Sequence, residues 1–135
     1  MKSISTIKSR YYSIAKKLNA SSKHILFALT PQGFGYPHIE VHEPEYHYVI
    51  TERGNELERR CTTDPNELLY WLTSDLTLRM ASDWELENRV EGQDSRRLIF
   101  KHDIELLEFI NNEWAKRKKS YYDKILENHP YNDQQ

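Results

Sequence analysis

The residues best suited to chemistry sit in a short alternating run, His38-x-Glu40-x-His42, with His47 close behind. In an extended strand alternate residues project to one side, so this spacing puts three ligand-type groups on one face. Two histidines and a glutamate are one of the sets that hold a catalytic zinc. Ligands on one flat strand tend to diverge, however, and Ile39 and Val41 alternate with them as inward residues do. The expectation is therefore a solvated strand face with no metal. His38-Ile39-Glu40 also matches half of the zinc deaminase signature. The other half needs two cysteines, and the chain has one.

That cysteine, Cys61, stands beside Arg59 and Arg60 near the end of an expected strand, with no motif supplying a base to activate it. Glu52, Arg53, Glu56, Glu58, Arg59 and Arg60 could serve a small nuclease or hydrolase, which is the alternative enzyme reading. Ion pairs across a solvated hairpin account for them more simply. Lys116-Arg117-Lys118-Lys119 suits nucleic-acid phosphates, but four consecutive helical residues fan out around a full turn. A solvated face is expected there. Asp94 or Ser95 should cap a helix, with Arg96 or Arg97 pairing to a carboxylate of the sheet or the preceding helix.

These groups must be carried by elements whose periods can be read. Ile4, Ile7, Tyr11, Ile14 and Leu18 step by three or four, which predicts an amphipathic helix over about 3–19. Segment 24–29 is apolar but too short for its period to decide its type. Pro31-Gln32-Gly33-Phe34-Gly35 has the chemistry of a loop. Strands are expected at Pro37–His42, Tyr46–Arg53 and Glu56–Thr62, with Gly54-Asn55 as the turn. Asp64-Pro65-Asn66-Glu67 then reads as N-cap, N1 proline and capping box for a helix running to about Arg89. Further helices are expected over 95–110 and 112–128. This order predicts an α+β fold: an N-terminal helix, an antiparallel β-meander, then three helices packed on one face of the sheet. A single domain spans 1–135, with 129–135 as a flexible tail.

Composition narrows the function classes. Nine Tyr, four Phe and three Trp supply a core that a disordered chain would lack. A net charge of −2 is not the basic excess on which nucleic-acid binders depend. The longest apolar run, Ile25–Leu29, falls far short of the ~20 residues of a membrane span. With one cysteine and no apolar run of signal-peptide length near Met1, a reducing cytoplasm is the expected location.

Several spaced patches resemble a bacterial toxin-immunity family, immunity protein family 63. They are Tyr48-Val49-Ile50-Thr51-Glu52-Arg53-Gly54, Leu68-Leu69-Tyr70-Trp71, Met80-Ala81, Asp94-Ser95-Arg96-Arg97 with Phe100, then Leu106-Leu107 and Trp114. The similarity runs from about Tyr36 to Pro130. It implies a cytoplasmic antidote that binds the C-terminal domain of a secreted or contact-delivered polymorphic toxin, with no cofactor and no catalytic residues to carry over. For such a contact the exposed carboxylates expected are Glu52, Glu56 and Glu58 on the hairpin, with Asp75 and Asp83 on the long helix. The wet-face reading of His38, Glu40 and His42 predicts that dialysis against a chelator leaves the unfolding midpoint unchanged; stoichiometric zinc in the purified protein would overturn it.

Overall fold

In a computed structural model the described residues are 1–133, and they follow the expected order. Helix α1 spans Ile4–Lys17, strands β1, β2 and β3 span Pro37–His42, Glu45–Glu52 and Asn55–Thr62, and helices α2, α3 and α4 span Pro65–Glu87, Arg96–Ile110 and Asn112–Asn128.

Each end of α1 has a local cause. The Ser3 hydroxyl accepts the Thr6 N–H at 3.2 Å. At the other end Asn19 turns left-handed at φ 55°, and the N–H groups of Ala20 and Asn19 donate to the carbonyls of Ala15 and Lys16. That is a Schellman closure, which satisfies carbonyls the helix leaves open. Ile7, Tyr11 and Ala15 are its buried stripe.

Segment 24–29 forms no regular element. It is held by single bonds from three directions: the Leu26 N–H donates to the Tyr11 hydroxyl, the Arg79 Nε donates to the His24 carbonyl, and the Ile39 N–H donates to the Ala28 carbonyl. The last of these places the segment along the open edge of β1.

The sheet is an antiparallel meander in the order β1-β2-β3. Its turn lies one residue earlier than the sequence suggested. Arg53 and Gly54 take φ 52° and 81°, while Asn55 already pairs with Glu52. A two-residue hairpin loop with both central residues left-handed matches the twist of its strands, and here an arginine accepts the first position. Ile39, Tyr46 and Tyr48 face inward and are buried.

Helix α2 is the centre of the molecule. Asp64 accepts the Asn66 N–H at 2.8 Å, Pro65 follows at the first helical position, and Leu68 to Thr73 are buried without a break. A helix apolar on every side must be covered on every side. Its coverage comes from α1, the inner face of the sheet, and α3, on which α4 packs.

The basic run of α4 is a correction to the solvated face expected there. Arg117 forks onto Glu67 of α2 at 2.7 and 2.5 Å and lies over the Tyr70 ring. Lys118 is buried, and its Nζ donates to Asp103 of α3 and to the Ser74 carbonyl of α2, both at 2.6 Å. The fanning is as expected; what the run alone does not show is that a helix packed on one side turns one of four consecutive residues inward.

Ser95 stands at the N-cap of α3 without a side-chain capping bond, and Asp94 just before it accepts the Arg96 N–H at 3.0 Å. Neither Arg96 nor Arg97 makes the expected pair with the sheet or α2; both hold residues 129–133 instead. Arg96 donates to the carbonyls of His129 and Pro130, and Arg97 pairs with Asp133 at 3.0 Å. Residues 129–133, expected as part of a flexible tail, make these contacts; 134–135 lie outside the described residues. Replacing Asp64 with Ala removes the α2 cap and should cost about 1 kcal/mol, read from the urea midpoint at unchanged slope.

Candidate functional site

The outer sheet face gathers the groups singled out at the start. Glu40 lies opposite His47, and His38 opposite Val49, which in turn lies opposite Arg59. Glu40 is the hub. Its two oxygens accept from His38 Nε2 and His42 Nε2, each at 2.8 Å, and from Arg59 Nη1 at 3.0 Å. Hydrogen bonds from His42, His38 and Arg59 hold the Glu40 carboxyl down at about 2. Arg59 also forks onto Glu56 at 2.8 and 3.1 Å, and its Nη1 lies 2.7 Å from His47 Nδ1.

This face differs from the expected wet strand in two ways. His38 is only 2% exposed, and Val49 beside it 1%, so the face is dry at that end and solvated at His42. Glu40, His42 and His47 also offer ligand atoms within 4.8 Å of one another. The third group, His47, arrives from the neighbouring strand, so the convergence does not depend on ligands spread along one flat strand. The point where Glu40 and His47 converge is taken by Arg59 Nη1, so the chain supplies its own cation there. A metal would have to displace it.

Arginine partners saturate much of the hairpin. Glu56 pairs with Arg59 and Glu58 with Arg60, each at 2.8 Å. Asp75 accepts from the Tyr48 hydroxyl at 2.5 Å, and Asp83 pairs with His24 at 2.6 Å and Lys23 at 3.3 Å. Of the five carboxylates expected at a partner contact, Glu52 alone makes no side-chain hydrogen bond or ion pair among the described residues. The electrostatics of Glu40 and Glu56 do not suit a general acid. A general acid needs a carboxyl raised toward neutrality, whereas hydrogen bonds from arginine hold Glu56 low and a combination of histidines and arginine holds Glu40 low. Cys61 is exposed and free at the strand's end.

Two features went unremarked in the sequence. The first is a cleft of about 430 Å³ between β3, α2 and α4, lined by Arg60, Tyr70, Trp71, Arg117 and Tyr121 among others. Arg60 lies over the rings of Tyr48 and Trp71, so its walls are arginine–aromatic stacks. The second is Phe34, which is 85% exposed at φ 57°, between Gly33 at 72° and Gly35 at 76°. A left-handed backbone costs a residue with a Cβ of order 1–2 kcal/mol. The only sequence signal for it was a loop-forming glycine pair.

A family model described as Immunity protein 63 matches residues 42–124, well over half of the chain. No curated protein and no solved structure matches. Among the described residues no helix is long and apolar enough to cross a membrane.

The hub on the outer face has a pH signature. Glu40 is depressed from 4.5 to about 2 on folding. A depressed carboxyl contributes stability that is complete above its unfolded value and is lost as pH falls through its folded one. The gap in thermal midpoint between the wild type and Glu40→Gln should therefore be full at a pH of about 6 and shrink from about 4.5 downward. A gap independent of pH would show that the carboxylate charge contributes nothing.

Proposed function

Because the chain belongs to the Immunity protein 63 family, we propose that it neutralises one cognate toxin domain by tight, stoichiometric binding in the cytoplasm of the cell that makes it. The family match carries this reading. The physical arrangement supports it in three respects. The charged groups of the outer face are largely paired with one another, and the Glu40 and Glu56 carboxyls are held low rather than raised toward neutrality. The fold presents exposed aromatic and arginine surface of the kind that anchors protein contacts. Its net charge gives no general attraction to nucleic acid.

An antidote must leave almost no free toxin, because a few active molecules damage a cell. Nanomolar affinity, about −12 kcal/mol, is the scale of that task. Such affinity comes from a few buried anchors inside a polar rim, with rim charges speeding encounter more than they tighten the complex. The carboxylates supply part of that rim in this proposal. Glu52, which is free, stands ahead of Glu56, Glu58, Asp75 and Asp83, whose charges are already shared inside the chain.

Co-expression with the toxin domain encoded beside this gene tests the reading. Growth should be rescued, and the two proteins should co-purify one to one at moderate salt with a Kd on the order of 1 nM. Absence of both rescue and complex would refute it. Rescue that survives charge reversal at all five carboxylates would leave the function standing and remove them from the interface.

A further inference from the structure

The loop ahead of β1 displays Phe34 at two costs at once. Its ring is 85% exposed, and its backbone is left-handed, a conformation that glycine adopts freely and a residue with a Cβ does not. Among the described residues the ring takes part in none of the aromatic pairs of the fold, and most of its surface is open. The loop is nevertheless pinned. The Tyr36 N–H donates to the Gly33 carbonyl, and the Gly35 N–H donates to the Thr51 carbonyl, each at 3.1 Å. The ring is thus held by the end of the sheet, close to the Arg53-Gly54 turn.

Other exposed apolar groups share that end. Tyr36 is 47% exposed, and Leu57, at the irregularity where β3 leaves register with Ile50 and Thr51, is 59% exposed. Glu52 and Arg53 stand beside them, and neither makes a side-chain hydrogen bond or ion pair among the described residues. The remaining hairpin charges are consumed internally, Arg59 by Glu40 and Glu56, and Arg60 by Glu58. What this end offers a partner is an aromatic knob with one free charge of each sign at its foot.

We propose that Phe34, supported by Tyr36 and Leu57, is the anchor that enters an apolar cleft on the toxin domain, with Glu52 and Arg53 meeting opposite charges on the cleft's rim. This rests on the immunity reading and adds the surface and the chemistry of its partner. A strained, exposed aromatic held on a pinned loop loses little conformational freedom on docking, which is how a rigid anchor gains affinity. The loop also precedes residues 42–124, the part of the fold that the family model describes. It can therefore set partner choice without altering that framework.

The strain makes the test sharp, because removing the side chain should move binding and stability in opposite directions. Affinity for the toxin domain encoded beside the gene is measured by calorimetry for the wild type, Phe34→Ala, Phe34→Gly and Leu57→Ala, each paired with its thermal midpoint. Phe34→Gly should weaken binding at least tenfold while the midpoint stays level or rises, since glycine relieves the left-handed backbone. Phe34→Ala should weaken binding similarly, and Leu57→Ala by a smaller factor. If the wild type binds tightly and Phe34→Gly binds within twofold of it, the anchor is refuted and the immunity reading stands. If the wild type does not bind the toxin domain, the immunity reading fails and the anchor with it. Should the chain alone form a dimer that Phe34→Gly dissociates, the knob's occupant is a second copy, and the proposal is overturned.

Discussion

Helix α2 has no wet side through Leu68–Thr73, and the other elements take their places by covering it. A fully buried Leu contributes roughly 1.5–3 kcal/mol, so leaving one flank of this helix open would forfeit several such terms. The three-stranded sheet cannot supply all of that cover. Its inward residues, Ile39, Tyr46 and Tyr48, close one flank together with α1. The opposite flank requires α3, and α3 in turn requires α4.

That second layer is fixed by polar groups rather than by apolar fit alone. Asp103 on α3 is completely buried and accepts from both Lys118 and the Tyr122 hydroxyl of α4. Burial lowers the Lys118 pKa, while the neighbouring Asp103 charge opposes that drop. The ammonium is kept in place by a second bond to the Ser74 carbonyl of α2. One side chain therefore ties three helices. Lys118 and the Tyr122 hydroxyl meet the same Asp103 oxygen, Oδ2, while Oδ1 is buried without a partner, so removing Lys118 would strand a charge that has little else to hold it. The Phe100–Tyr122 stack, with centroids 3.8 Å apart, sets the α3–α4 spacing around the same point.

The surface divides along a similar line. On the outer sheet face Glu40 draws His38, His42 and Arg59 together, and Arg59 in turn holds Glu56 and meets His47, so most of these charges are met within the chain, although His38 Nδ1 is buried without a partner. At the far end of the same sheet the chain spends backbone strain on Phe34 and leaves Glu52 and Arg53 unmatched. Local cost without internal compensation is the pattern of residues kept for an external contact.

The sequence by itself determined the elements and their order. The cap at Asp64, the alternation through Pro37–His42, and the change from a period of two to a helical period after Thr62 are local facts. Local backbone chemistry decides them, and the helix bounds fell within about two residues of those read from sequence. The family patches were legible for the same reason, since they lie within these elements or at their ends, at the Arg53-Gly54 turn and at Asp94-Ser95 ahead of α3. Only the tertiary structure decided which neighbour each charge would meet. Lys118 and Lys119 are indistinguishable in the sequence, yet one is buried on Asp103 and the other exposed beside Asp123. The convergence of His47 with Glu40 and His42 depends on the register of β2 against β1, and Arg59 reaches them from β3. Phe34 reads as an ordinary loop residue until its φ and its exposure are known. Pair identity and exposure arise from contacts between residues distant in the chain, and no local period encodes them.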